Sequence, residues 1–139
     1  IVSELQSDGR LAYSQLGALV GLSEAATRQR VNRLLERNVM QIVAVTDPTK
    51  IGLRVQAMVG ITVEGDIAVV ADTLAKVDTF NYVVIAAGRY DILVEVVCAS
   101  TDELLSTVNT SIRSVAGVRT CEILSYLRLV KQTYNWGTG

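Results

Sequence analysis

Ser14–Arg37, SQLGALVGLSEAATRQRVNRLLER, decides how the first third of the chain folds. Apolar residues recur at helical spacing on either side of Gly21. We expect these side chains to face inward: Leu16, Leu19 and Val20 before the glycine, and Val31, Leu34 and Leu35 after it. The pattern predicts one helix from an N-cap at Ser14 to Val20. A second should run from an N-cap at Ser23 to Asn38, which tolerates the left-handed conformation at a helix end.

Two short helices joined by Val20-Gly21-Leu22-Ser23 are the pattern of a helix-turn-helix, whose second helix enters the major groove of DNA. The second helix is dense in side chains that donate to phosphates and base edges. We expect DNA contacts from Ser23, Thr27, Arg28, Gln29, Asn32 and Arg33, with Arg30 and Arg37 as further donors. The alternative is an amphipathic helix with ordinary solvated charges, and the preceding turn favours DNA binding.

The remainder of the chain alternates strand-like and helix-like runs after its single proline, Pro48. The predicted order is strand 53–63, helix 67–76, strand 82–87, strand 92–99, helix 102–115 and strand 119–130. This βαββαβ order is the ferredoxin-like arrangement, so the fold class is α+β.

Composition indicates a protein that associates with itself. Half of the residues are apolar, only 19% are charged, and the mean hydropathy is +0.34, which is high for a monomer. Two helices cover one face of a sheet, so the alternating strands leave a second apolar face with Met58, Leu93, Val97, Leu124 and Tyr126 as candidates. We expect a partner subunit to bury it in a two-fold dimer, which would present two recognition helices about 34 Å apart.

Several classes of protein are disfavoured by the residues that are missing. There is no histidine, which removes most metal sites and the commonest catalytic base. No apolar run approaches the ~18 residues needed to cross a bilayer, and no export signal begins the chain, so we expect a cytoplasmic location. Cys98 and Cys121 are expected to be reduced core thiols. The net charge is −1. Residues 1–53 contain six basic and five acidic residues, whereas residues 54–139 contain seven basic and nine acidic residues. We expect no metal, no cofactor and no enzymatic activity.

From Ile1 to about Thr133 the chain resembles the Lrp/AsnC family of feast/famine transcription regulators. The segments that carry the resemblance are Leu5-Gln6-Ser7-Asp8-Gly9-Arg10, Val20-Gly21-Leu22-Ser23, Arg30-Val31-Asn32-Arg33-Leu34, Asp47-Pro48 with Ile51-Gly52, and Gly88-Arg89-Tyr90-Asp91. The resemblance implies a tri-helical, winged-helix-like DNA-binding domain over residues 1–40, a β-stranded linker over 41–53, a ferredoxin-like effector-binding and oligomerisation domain over 54–131 and a tail over 132–139. It also implies further residues before Ile1.

The resemblance further implies homodimers, octamers built of four dimers, and a small amino-acid effector bound between dimers. The corresponding residues are Ile85, Gly88, Arg89, Tyr90, Asp91, Thr101, Leu124, Ser125 and Tyr126. Gly88 would let a backbone approach the ligand, and Asp91 would accept from its α-ammonium group. The alternative for this loop is a hairpin connection that uses glycine and aspartate for turn conformation alone.

The expected function is a sequence-specific DNA-binding transcription regulator whose assembly or DNA binding responds to an amino acid or related metabolite. Two alternatives are a ligand-independent architectural DNA-binding protein and a metabolite-binding module that acts through protein contacts. A small enzyme would retain only Tyr90, Asp91, Glu95 and the two thiols for chemistry, and these form no catalytic motif.

Overall fold

The computed structural model describes residues 1–137 and divides the chain into two compact units. The first unit comprises residues 1–45 together with the segment from Val130 onward, and the second comprises Thr46–Leu129. The first unit therefore includes part of the expected linker and the described part of the expected tail, where the Gln6 side-chain amide donates to the carbonyl of Trp136 at 3.0 Å. The end of that tail, residues 138–139, lies outside the described residues.

The first unit contains three helices, α1 (Val2–Ser7), α2 (Tyr13–Val20) and α3 (Glu24–Glu36). Their shared core consists of the buried side chains of Leu5, Leu16 and Val31, one from each helix. The turn between α2 and α3 is close-packed, because a Cβ at Gly17 would lie only 2.6 Å from the carbonyl oxygen of Leu22. A glycine at this position in α2 therefore lets the turn fold back onto the helix.

The helix ends confirm two of the predicted caps and correct a third. The Ser23 hydroxyl accepts from the N–H of Ala26 at 3.2 Å, and Asn38 has a left-handed φ of +54°. Ser14 is not an N-cap, because α2 already begins at Tyr13 and its N-cap residue, Ala12, has no side-chain acceptor.

Leu19 was expected to face inward, but it is 62% exposed. The inward side of α2 carries Leu16, Gly17 and Val20. At about 100° of rotation per residue, Leu19 points roughly 100° away from the middle of that side. The helical spacing correctly predicted an apolar side of α2, but it did not specify which residues of that side contact α1 and α3.

The expected β-stranded linker over 41–53 is absent from the described chain. Residues 41–47 carry no strand, and Pro48–Ile51 form a short 3-10 turn. Asp47 caps this turn, since its Oδ1 accepts from the N–H of Thr49 at 3.0 Å and from its hydroxyl at 2.6 Å. These bonds to Thr49 hold the pKa of Asp47 below its usual value. A strand requires a neighbouring backbone to pair with, and within residues 1–137 no other segment pairs with 41–47.

The second unit has the predicted βαββαβ order, and its sheet is antiparallel with the strand order β2-β3-β1-β4. The elements are β1 (Val55–Val63), α4 (Ile67–Ala75), β2 (Tyr82–Ile85), β3 (Ile92–Cys98), α5 (Thr101–Thr107), a π-helical turn (Val108–Arg113) and β4 (Val118–Ser125). The π turn replaces the second half of the single helix expected over 102–115.

The core lies between the helices and one face of this sheet. Alternate strand residues are fully or almost fully buried there, namely Ala57, Val59, Ile61, Ile92, Val94, Val96 and Cys98. They pack with Val70 and Leu74 of α4 and with Leu104 and Ile112 beyond β3. Burial raises the pKa of the Cys98 thiol, and neither cysteine forms a disulfide.

The other face of the sheet carries the strand residues that alternate with this core, and most of them are half-buried or exposed. The register pairs Met58 with Leu124 and Gly60 with Leu93 and Glu122, which places Leu93, Val97 and Tyr126 on this face too. All five apolar residues predicted for the second face therefore lie there. We call this surface the open face.

The last strand is shorter than predicted. It ends at Ser125 rather than residue 130, and the next backbone bond, from the N–H of Tyr126 to the carbonyl of Gln56, is the last that joins it to β1. Because β1 begins at Val55, residues beyond Tyr126 have no neighbouring strand, and Leu127 is 98% exposed.

Candidate DNA-binding and effector sites

The outward side of α3 carries two distinct surfaces. The first, which we call the Arg28 surface, is an open depression of about 550 Å³ lined by Glu24, Ala25, Arg28, Gln29 and Asn32. All five side chains are exposed, and three of them carry donors that can reach base edges.

Arg28 is held at this surface by partners from two helices. Its Nη2 lies 3.0 Å from Oε1 of Glu24, one turn earlier in α3. Its guanidinium carbon lies 5.4 Å from the centre of the Tyr13 ring, at the start of α2. The guanidinium therefore has an ion-pair partner within α3 and an aromatic partner on α2.

The second surface, the arginine row, consists of Arg30, Arg33 and Arg37. These side chains surround a depression of about 380 Å³ together with Ile1, Leu34 and Val39. None of the three makes an ion pair within 4.0 Å in the described chain. Three exposed guanidinium groups that form no ion pair in the described chain make a surface suited to phosphate groups.

The residues predicted to contact DNA differ in how exposed their side chains are. Arg28, Gln29, Asn32 and Arg33 are all exposed on α3. The hydroxyl of Ser23 is occupied by its capping bond. Thr27 is completely buried, and its hydroxyl donates to the carbonyl of Ser23 at 2.9 Å. It packs beside Gly17 in the core, so the prediction that Thr27 contacts DNA is corrected: its side chain stabilises the turn.

In the predicted effector loop, Asp91 has a structural role. Its Oδ2 accepts from the N–H of Val63 at 2.8 Å, and its backbone bonds to Ile61 and Ala86, each at 2.9 Å. Gly88 has a φ of +130°, a conformation that disfavours side chains. These features fit the hairpin interpretation of the loop, and they leave one carboxylate oxygen of Asp91 without a bond to this backbone.

Arg89 and Tyr90 meet an acidic residue that the sequence did not single out. The Tyr90 hydroxyl donates to the carboxylate of Glu122, and the Arg89 guanidinium lies 3.9 Å from it. The hydrogen bond to this carboxylate raises the pKa of Tyr90. The ring of Tyr90 lies over Gly60, which is the cross-strand partner of Glu122. The sequence signal for this contact was Gly60 itself, because a glycine inside a strand often marks a place where another part of the chain approaches the backbone closely.

A second tyrosine–carboxylate pair lies towards the opposite end of the open face. The hydroxyl of Tyr126 donates to Oε2 of Glu95 at 2.7 Å. Burial and this carboxylate both oppose ionisation, so the pKa of Tyr126 is raised well above its usual value. The sequence indicates no role for Glu95 outside enzymatic chemistry, and the structure shows that it accepts a hydrogen bond from Tyr126.

The nine predicted effector residues do not converge within one chain. The Gly88–Asp91 loop precedes β3, whereas Thr101 follows it, and a seven-residue strand separates its ends by about 20 Å. The register also places Ile85 beside Ile92 on the helix-covered face, and Ser125 beside Ala57 there, whereas Leu124 and Tyr126 are on the open face. A single site containing all nine is therefore excluded in the isolated chain.

Comparison with known families decides what kind of protein carries these surfaces. Residues 1–35 match the AsnC-type helix-turn-helix domain, and residues 53–139 match the C-terminal dimeric alpha+beta barrel domain of AsnC-type transcription regulators. The chain belongs to the Lrp/AsnC family.

Relatives agree with this assignment along nearly the whole chain. An HTH-type transcriptional regulator of Pyrococcus abyssi is 31% identical over 139 residues, covering 99% of this chain and 85% of the relative. The leucine response regulatory protein of Mycobacterium tuberculosis is 29% identical with a TM-score of 0.83, covering 96% of this chain and 92% of that one. A Neisseria meningitidis transcriptional regulator solved with L-Met has a TM-score of 0.85 at 22% identity, covering 95% and 88%, and it supports the fold alone.

This Lrp/AsnC protein is a transcriptional regulator with a helix-turn-helix, and its relatives are regulators rather than enzymes. Within residues 1–137 no group of three or more Cys, Asp or Glu side chains is arranged to hold a metal ion. No helix in that part of the chain is long and apolar enough to span a membrane.

Proposed function

We propose that this Lrp/AsnC regulator binds specific duplex sequences as a homodimer through α3, and that an amino acid or related small metabolite modulates its assembly or its DNA binding. The observation that carries the DNA-binding part is the division of α3 into two exposed surfaces with different chemistry. The Arg28 surface offers fixed donors for base edges, and the arginine row offers unpaired cations for phosphates.

In this proposal the arginine row supplies affinity for DNA and the Arg28 surface supplies sequence specificity. Contacts to phosphates supply affinity that falls with salt and is largely independent of sequence. Contacts from Arg28, Gln29 and Asn32 to base edges would supply discrimination, because arginine pairs with guanine and the two amides pair with adenine in the major groove. A buried face of Leu16, Val31 and Thr27 holds α3 rigidly on α2, so these side chains project from a fixed platform.

The open face supports the homodimer. It is centred on Met58, Leu93 and Leu124, and an apolar face of this kind is stabilised when a second subunit buries it. The matching family domain is described as dimeric. A two-fold dimer would place two α3 helices on successive turns of DNA, and association of four such dimers would give the octamer that the family resemblance suggests.

The effector part of the proposal follows from the resemblance to the Lrp/AsnC family, and the scattering of the predicted residues in one chain favours a site shared between subunits. A regulator of the same fold from Neisseria was solved with L-Met. Residues that lie about 20 Å apart in one subunit can meet only if different subunits contribute them. A ligand bound between subunits then changes assembly whenever it binds one assembled state more tightly than another.

The DNA-binding part is tested by selecting duplexes from a random library and measuring the affinity of Arg28→Ala and Arg33→Ala by gel shift. We expect both substitutions to weaken binding while size-exclusion chromatography shows an unchanged oligomer. Unchanged affinity of both variants would refute the assignment of α3 as the DNA-contacting helix.

The effector part is tested by a thermal-shift panel of the twenty amino acids, followed by size-exclusion chromatography and DNA titration with each hit. We expect at least one amino acid to raise the Tm and to change either the oligomer or the affinity for DNA. A panel without any shift would instead favour the ligand-independent architectural protein, which organises DNA through multivalent binding alone.

A further inference from the structure

Arg28 differs from the other arginines of α3 in having two partners. Glu24 forms an ion pair with it at 3.0 Å, and the Tyr13 ring lies 5.4 Å from its guanidinium carbon. The arginine row has neither kind of partner within the described residues. The difference is not a result of burial, because the Arg28 side chain remains 59% exposed.

The geometry leaves the guanidinium able to bind something else. Glu24 accepts from one nitrogen, Nη2, and the guanidinium carbon lies over the Tyr13 ring at 5.4 Å from its centre. Arginine has five N–H donors in a rigid fork, so donors remain along its edge. Such an edge matches the two acceptors that guanine presents in the major groove.

We propose that Tyr13 and Glu24 are positioning residues that orient Arg28 for a guanine base before DNA arrives. This proposal rests on the proposed role of α3 in DNA binding and adds two residues that do not themselves contact a base. An unrestrained arginine loses side-chain freedom when it binds, whereas one that is already held loses less. This smaller entropic cost increases affinity only for a duplex that has the base contacted by Arg28.

Glu24 has a second effect of opposite sign on non-specific binding. Its side chain is 53% exposed and lies on the same surface that approaches DNA, so its carboxylate repels phosphates while it orients Arg28. Removal of this charge should therefore reduce discrimination between bases and at the same time maintain or increase affinity for unrelated DNA. A residue that only stabilised the helix would not separate the two quantities.

The experiment begins with duplexes selected from a random library by the full-length protein and by Arg28→Ala. Base pairs whose preference disappears in Arg28→Ala define the position that Arg28 reads. Discrimination is then the ratio of affinities for the selected duplex and for the same duplex altered at that position. It is measured for the wild type, Tyr13→Phe, Tyr13→Leu and Glu24→Gln, each alongside its Tm.

We expect Tyr13→Phe to keep the wild-type discrimination because it keeps the aromatic face. Tyr13→Leu and Glu24→Gln should each lose about 3- to 10-fold in discrimination, as expected when one long side chain is no longer held. Affinity for the altered duplex should be unchanged in Tyr13→Leu and unchanged or higher in Glu24→Gln. Glu24→Gln alters an exposed side chain, so it tests the proposal even if Tyr13→Leu does not fold.

Wild-type discrimination in Glu24→Gln would overturn the positioning role of Glu24 while Arg28 kept its base, and wild-type discrimination in a folded Tyr13→Leu would overturn that of Tyr13. Equal losses on the two duplexes, accompanied by a lower Tm, would overturn it in favour of simple packing. If Arg28→Ala kept every base preference, Arg28 would not contact a base. That outcome would refute both the assignment of Arg28 as a base-contacting residue and the positioning role of Tyr13 and Glu24.

Discussion

The ring of Tyr90 lies so close to the backbone of Gly60 that a Cβ at residue 60 would come within 2.6 Å of the ring carbon Cγ. Gly60 is in β1 at the middle of the sheet, and Tyr90 belongs to the loop before β3. The contact places the Tyr90 hydroxyl at Glu122 on β4, so a single glycine allows the loop to reach across the open face.

Gly60→Ala should therefore force the Tyr90 ring away from β1. We expect a loss of about 1–3 kcal/mol in the free energy of unfolding, the usual range for overpacking. Tyr90→Ala should relieve the clash, so that adding Gly60→Ala to it costs much less. Denaturant unfolding of the two single variants and the double variant at one protein concentration measures this coupling, and additive losses would contradict it.

The buried hydroxyl of Thr27 should contribute to stability and not to DNA recognition. Thr27→Val keeps the shape of the side chain but removes the donor to the Ser23 carbonyl, and we expect a loss of about 1 kcal/mol in the free energy of unfolding. Base preferences of the folded variant should match the wild type. Altered preferences at unchanged stability would return Thr27 to the DNA interface.

The arginine row should be visible in the salt dependence of DNA binding. Each phosphate contact contributes about 0.9 to the slope of log affinity against log salt, so loss of one contact per subunit in a dimer lowers the slope by about 1.8. We expect this from Arg30→Ala or Arg37→Ala, with base preferences retained. Glu36→Gln is a suitable control, because it changes an exposed charge of α3 outside the row. An unchanged slope in both arginine variants would show that the row does not contact phosphates.

Asp91 requires a substitution that separates charge from hydrogen bonding. Asp91→Ala removes the acceptor for the N–H of Val63, and this alone should lower stability by about 1–3 kcal/mol. Asp91→Asn keeps an acceptor oxygen and removes the charge. If Asp91 binds an effector ammonium group, Asp91→Asn should keep most of the stability and lose the amino-acid-induced thermal shift. A normal shift in a stable Asp91→Asn protein would rule out that role.

The raised pKa of Tyr126 predicts a dependence of stability on alkaline pH. A phenol whose pKa is higher in the folded state than in the unfolded state adds stability that is fully present below about pH 10 and is lost as the pH rises towards the folded value. Tyr126→Phe removes this contribution, so its stability should fall less steeply above pH 10. Denaturant unfolding across that range, with phenolate absorbance as a second measure, tests the difference. Parallel curves would contradict it.

Much of the fold follows from local patterns along the chain. Period-two alternation predicts that Leu93 and Val97 lie on the opposite face from Ile92 and Val94, and Ser23 and Asn38 mark the ends of α3. These predictions succeeded because alternation and capping depend on backbone geometry within a few residues. The motifs that resemble the Lrp/AsnC family led to the same family that the comparison found.

The candidate sites were less predictable because they depend on contacts between distant residues. Thr27 looked like a DNA contact by its chemistry, yet the packing of α3 against Gly17 buries it. Arg28 could be chosen from α3 alone, but its partnership with Tyr13 depends on how α2 and α3 cross.

Local spacing and residue type were sufficient to predict the order of helices and strands, the two faces of the sheet and the cationic character of α3. Tertiary structure alone decided that Leu19 faces outward, that β4 ends at Ser125 and that Tyr90 reaches Glu122 across Gly60. Those outcomes depend on strand register and helix crossing, which bring together residues that are far apart in the chain and whose pairing no local pattern specifies.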